Sequence, residues 1–168
     1  TAAAWQIAVE SKDKPVALSL GRHDVPVLRN VSFEGVSRGA YILSPAQGKP
    51  EGIIIATGSE VELALEAQKI LHSDGIEVNI VSMPSWELFE QQDELYKEQV
   101  LPKGLTKRLS VEMGSKYGWE QYVGPEGKIM SIEEFGASGS GQELADLLGF
   151  TVTKIAENMK SLFMHSQV

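Results

Sequence analysis

The sequence predicts a three-layer α/β/α domain built on a mostly parallel β-sheet. Two observations carry this. First, the short β-branched runs Gly52–Thr57 (GIIIAT) and Ile76–Ser82 (IEVNIVS) are apolar almost throughout. Strands covered on both faces read this way, whereas half-exposed strands alternate. Second, a helical segment with clear boundary signals lies between them, and the strand–helix–strand order is that of a doubly wound domain. At 168 residues the chain suits one such domain, or one plus a fragment of another.

The elements follow in chain order. Thr1–His23 reads as the last helix and strand of a preceding domain, the strand being Pro15–Leu20 (PVALSL). Asp24–Arg38 holds Pro26, Asn30, Ser32, Gly35 and Ser37 among scattered apolar residues. At about 15 residues it is long for an internal loop and is expected to be an interdomain linker. Residues 39–168 then form the complete domain, with Gly39–Leu43 (GAYIL) as a strand at the sheet edge. After Gly52–Thr57 comes a helix from Glu60 to Ser73, its polar stripe Glu62, Glu66, Lys69 and Ser73. Ser59 and Glu62 have the spacing of a capping box, and Gly75 is placed for a left-handed helix cap. Arg108–Glu112 and Lys128–Ile132 are weaker strand candidates. Ser140 and Glu143 repeat the capping box before Leu144, Leu147 and Leu148, with Gly149 closing that helix. A final helix, Val152–Met164, puts Ile155, Met159 and Leu162 on one face.

Composition excludes several function classes. Fifteen basic against 23 acidic residues give a net charge of −8. Nucleic-acid binding depends on clustered Lys and Arg, and anionic lipid repels such a chain. Cysteine is absent, which removes disulfides, thiolate catalysis and Cys-ligated metals. No apolar run approaches the ~18 residues of a membrane span, and the chain is expected to be cytoplasmic. It opens on Thr1-Ala2-Ala3-Ala4-Trp5 and reads as cut from a longer protein.

Few residues carry chemistry. His23, His72 and His165 have no partners at metal-ligand spacing. The stretch Gly136-Ala137-Ser138-Gly139-Ser140 lacks the last glycine of a nucleophile elbow. Two glycine turns invite an anion: Thr57-Gly58-Ser59-Glu60, and Gly136 to Gly141. Neither matches a phosphate-binding motif, and Glu60 and Glu62 put negative charge beside the first. Both read first as tight strand-to-helix turns. Trp5, Trp86 and Trp119 lack interleaved basic residues and are expected in packing. Arg22 stands out. It follows the run PVALSL at the end where α/β sheets bind ligands, and its guanidinium can grip a phosphate with two hydrogen bonds.

Several words of the sequence carry a resemblance. GIIIATGSEVELALEA (52–67), IVSMPSWELFEQQD (80–93), YKEQVLP (96–102) and EEFGASGSGQELADLLGFT (133–151) resemble the C-terminal domain of transketolases. TAAAW and PVALSLGRHDVPVL resemble the end of the middle, pyrimidine-binding domain of the same enzymes. The resemblance implies a parent enzyme that uses thiamine diphosphate and a divalent cation (magnesium or calcium). Such an enzyme moves a two-carbon ketol unit between sugar phosphates, as a homodimer with active sites at the subunit interface. The family's G-D-G…N metal-binding motif is absent, since Ser73 precedes Asp74-Gly75. No catalytic, cofactor or metal residue is therefore assigned, and this chain is expected to be inactive alone. One position carries over. The family word L-[ST]-R-Q-N-L-P aligns with Leu20-Gly21-Arg22-His23-Asp24-Val25-Pro26, which implies that Arg22 contacts the substrate phosphate. Gly21, His23 and Asp24 depart from that word, as Gly139-Ser140 departs from the family's Ala-Pro. Two alternatives stay open: a stand-alone nucleotide- or anion-binding module, and the last domain of a related thiamine enzyme such as deoxyxylulose-phosphate synthase or a 2-oxoacid dehydrogenase β-subunit.

Overall fold

A computed structural model describes residues 1–21, 24–28, 31–133 and 139–164. In chain order the elements are α1 (Ala2–Glu10), α2 (Phe33–Ser37), β1 (Tyr41–Ser44), β2 (Gly52–Ala56), α3 (Glu60–Ser73), β3 (Val78–Ser82), α4 (Trp86–Glu90), α5 (Glu94–Val100), β4 (Arg108–Val111), α6 (Glu120–Val123), β5 (Lys128–Met130), α7 (Gly141–Leu147) and α8 (Val152–Met164). The five strands form one sheet in the order β1-β3-β2-β4-β5. Neighbours are parallel except β1, which runs antiparallel to β3 at the edge.

The apolar run of β2 places it at the sheet's centre, buried at every position. Alternation along it serves two cores. Ile54 and Ala56 meet Leu71 of α3 with Ile155 and Met159 of α8. Ile53 and Ile55 lie in the opposite cluster with Phe89, Val100, Trp119 and Tyr122 from α4, α5 and α6. Each buried Ile contributes roughly 1.5–3 kcal/mol, so the central strand anchors both helical layers. The three-layer, mostly parallel architecture read from the sequence is the one observed.

Short polar caps explain the helices that periodicity does not reveal. Ser85 accepts the Leu88 N–H to start α4, and Asp93 accepts the Tyr96 N–H to start α5. Each helix is under two turns, too short to display a 3.6-residue stripe. Ser140 caps α7 through the Glu143 N–H, as expected. Gly75 takes the left-handed conformation expected of it, at φ 78°, and Gly149, expected to end α7, does so at φ 80°.

Two expectations fail. Ser59 makes no capping bond to α3; its hydroxyl turns to the Glu60 carboxylate instead, at 2.7 Å. Pro15–Leu20 forms no strand, because a strand exists only by pairing and no described segment of this chain pairs with it. The stretch read as a linker carries α2. Its Ser32 cap accepts the Gly35 N–H, and Gly35 is buried so close under the Tyr41 ring that a Cβ would collide with it.

Candidate functional site

In an open α/β sheet, ligands bind beyond the carboxyl ends of the strands where the chain's direction of winding reverses. Here that point lies between β2 and β4: the chain leaves β2 for β3 on one side, then crosses back to β4 on the other. The first glycine turn, Thr57-Gly58-Ser59-Glu60, sits at this crevice, with Gly58 at φ 60°.

The crevice is filled by the chain itself. Glu60 is only 5% exposed. One carboxylate oxygen, Oε1, accepts the backbone N–H of Met113 at 2.5 Å, just past the end of β4. The other, Oε2, accepts the Ser59 hydroxyl and lies 3.5 Å from where a Cβ on Gly58 would stand. Among the described residues no Lys, Arg or His pairs with it. Glu62, one turn face away, is exposed. Sequence alone reads both glutamates as repelling a phosphate; the structure separates them, one plugging the crevice and one solvated.

Neighbouring residues reinforce the closure. Glu112 accepts the Trp119 indole N–H at 2.6 Å. Trp119 is 1% exposed and packs edge-on against Trp86 at a 5.1 Å centroid distance. Both tryptophans thus serve packing as expected, while Trp5 on α1 is 55% exposed. His72 lies away from the crevice, its Nδ1 2.6 Å from Glu77 Oε1. Glu77 also accepts the backbone N–H groups of Gln47 and Gly48. The Gly48 N–H first, then His72, holds the Glu77 carboxyl below the usual glutamate range.

Arg108 is a residue that sequence reading missed. Its guanidinium donates to the carbonyls of Leu105, Tyr122, Leu101 and Pro102. It thereby ties β4 to the ends of α5 and α6, where carbonyls lack helical partners. Desolvation lowers its pKa, yet an arginine so placed stays charged. Tyr122 beside it has its hydroxyl pushed well above the ordinary tyrosine range, by burial first and then by Glu90. The groove over them is lined by Glu90, Glu94 and Glu98 against Lys97, Lys103 and Arg108. Its charges balance, and it converges on no single ligand chemistry. No sequence pattern singles out Arg108, because its partners are backbone atoms.

Arg22 and His23 lie outside the described residues, as do Gly136, Ala137, Ser138 and His165. Among the described residues no three His, Asp or Glu side chains come together as metal ligands. The described residues therefore offer no cluster of side chains for a metal held by a diphosphate. No described helix is long and apolar enough to cross a membrane.

A sequence model of the transketolase-like C-terminal domain matches residues 39–151. The chain belongs to the transketolase family. It is 51% identical over 166 residues to the transketolase of Geobacillus stearothermophilus, an alignment covering 96% of this chain and 25% of that protein. It is 45% identical to that of Bacillus subtilis, again over 96% of this chain and 25% of the relative. Among solved structures, the Leishmania mexicana transketolase superposes with a TM-score of 0.90 at 34% identity, covering 99% of this chain and 24% of that one. A Pichia stipitis transketolase in complex with sedoheptulose-7-phosphate gives 0.88 at 40%, covering 97% and 24%. The chain thus spans about a quarter of the transketolases it matches. It contains their C-terminal domain, matched at residues 39–151, and the alignments to the whole proteins extend over 96% of the chain.

Proposed function

We propose that this chain is the C-terminal portion of a thiamine-diphosphate-dependent transketolase. In this reading, residues 1–23 finish the pyrimidine-binding domain, 24–38 link, and 39–168 are a scaffold that supports the homodimer. Arg22 reaches the substrate channel and holds the sugar phosphate. The single observation that supports this most is that similarity to transketolases covers 96% of the chain, well beyond the C-terminal domain matched at residues 39–151. The cofactor and its cation would sit on residues other than those described here. When bound, thiamine diphosphate supplies the carbanion chemistry of ketol transfer. This chain's own part is positional: a fixed guanidinium that meets the phosphate end of a sugar, at the mouth of a cytoplasmic enzyme's active site. The isolated chain is inactive.

The stand-alone anion module finds no support at its most inviting turn, where Glu60 stands in the crevice. The relatives cited are all transketolases, which favours that member over related thiamine enzymes.

The test is Arg22→Ala in the parent enzyme. Loss of a charge-assisted phosphate contact removes roughly 1.5–3 kcal/mol. That lowers kcat/KM by about 10- to 150-fold for phosphorylated sugars and little for unphosphorylated acceptors. Equal losses on both substrate types would reject the phosphate role. Calorimetry of the isolated chain should show no metal-dependent uptake of thiamine diphosphate at micromolar cofactor; tight uptake would reject the scaffold reading.

A further inference from the structure

We infer that Glu60 is an internal latch: its carboxylate takes the place of an outside ligand in the β2/β4 crevice and fixes the loop 112–119 to the first turn of α3. A buried carboxylate without a cation is costly unless its charge is spread over donors. Glu60 is buried and, among the described residues, has no cationic partner, so it stays only because donors converge on it. Those donors come from two separate places, the Met113 backbone after β4 and the Ser59 side chain before α3. Met113 and Glu60 are 53 residues apart in sequence, so this contact joins the two halves of the sheet across the point where its winding reverses.

The loop it holds is also tied at its end, where Trp119 packs against Trp86, and on its far side. Ile132 donates its N–H to the Gly114 carbonyl at 2.8 Å, and Lys116 pairs with Glu133. Toward β2, Glu60 is the side chain that grips it. Glu112 meanwhile faces Trp119, so the loop's own carboxylate is committed to the helical layer and cannot take over. Remove the Glu60 carboxylate and the Met113 N–H loses its acceptor, while the crevice gains a carboxylate-sized space with a donor on each side. This inference is independent of Arg22 and of the parent enzyme's activity.

Hydrogen exchange on the 168-residue chain tests it. In Glu60→Ala the Met113 amide should exchange faster than native by about tenfold or more, the loss of a charge-assisted bond, and by clearly more than the Ile55 amide in β2. Formate should restore protection at Met113 and raise the variant's Tm, while neutral formamide should not, and neither should act on the native chain. Formate and formamide acting alike, or Met113 and Ile55 exchanging faster by the same factor, would overturn the latch. If Glu60→Ala does not fold, Glu60→Gln decides. It keeps the volume but offers a neutral acceptor, and hydrogen bonds to charged groups are roughly twice as strong as neutral ones. Faster Met113 exchange relative to Ile55 supports the latch, and an unchanged ratio overturns it.

Discussion

The first 33 residues and the sheet domain after them use apolar side chains in opposite ways. Trp5, Val9, Val16, Leu20, Val25, Val27, Val31 and Phe33 are all substantially exposed, Val27 at 98%. α1 buries none of its residues. From Ala40 onward, by contrast, apolar residues pack into two clusters on either face of the sheet. Scattered exposed apolar residues are ordinary, but a run of eight in one short stretch is not. The lesson is that two regions of similar hydrophobicity differ by whether their partners are present. The sheet domain brings its own; among the described residues the leading stretch finds few.

Two tryptophans give the sharpest way to break this contrast. Trp119→Ala removes a fully buried ring and the indole donor to Glu112, and should cost roughly 3–5 kcal/mol of stability. Trp5→Ala in the same chain should stay within about 0.5 kcal/mol, as surface changes do. Urea denaturation of both variants measures the difference. A loss of comparable size for Trp5 would mean that α1 is packed in solution and that the two regions are not distinct.

Gly39 sets the boundary between the regions. Its φ is 85°, and a Cβ there would collide with the backbone of Ser85, Leu88 and Phe89. Neither strain nor clash can relax without moving α4. Gly39→Ala should therefore cost about 1–3 kcal/mol, read as a lowered Tm. Gly75, also at positive φ but with nothing nearby, should lose less on the same change. Equal losses at the two sites would show that conformation alone, not the close approach, fixes the start of the sheet domain.

What was legible in the sequence follows the same division. The runs of β2 and β3 declare themselves because both faces are buried, and the 14-residue α3 because it is long enough to show its stripe. α4, α5 and α6 are hidden by shortness. Pro15–Leu20 has the composition of a strand, but composition cannot supply a neighbour to pair with. At the crevice, sequence marks Glu60 as acidic near a helix start. It does not show that the side chain turns inward to Met113, since that contact spans 53 residues and ends on a backbone atom. Arg22 is marked by its place after an apolar run and by the family word around it, not by any contact.

The smallest expected effect lies inside the sheet domain, where a polar clip rather than apolar packing closes a turn. Glu77 accepts the N–H groups of Gln47 and Gly48 and faces His72, so it fastens the β1–β2 connection to the start of β3. These contacts favour its charged form, and its folded pKa lies below the ordinary 4.5. The unfolded chain then binds the proton more readily, so stability rises with pH in this window. The contribution is in place above pH 4.5 and is lost as pH falls through the depressed folded value. Glu133 and Glu157 are lowered too, by Lys116 and Lys154, and they add the same slope to any variant. Glu77→Gln should therefore flatten, not abolish, the fall of Tm below pH 4.5 relative to native. Well above pH 4.5 the two curves should run parallel. His72→Ala removes one of the contacts that lower Glu77 but leaves the backbone donors, so it should flatten the acid limb less than Glu77→Gln does. An acid limb of native steepness in Glu77→Gln would show that the carboxylate contributes nothing and that the turn is held by its other bonds, from Glu51 N–H to the Glu77 carbonyl and from Ala46 N–H to Asn79 among them.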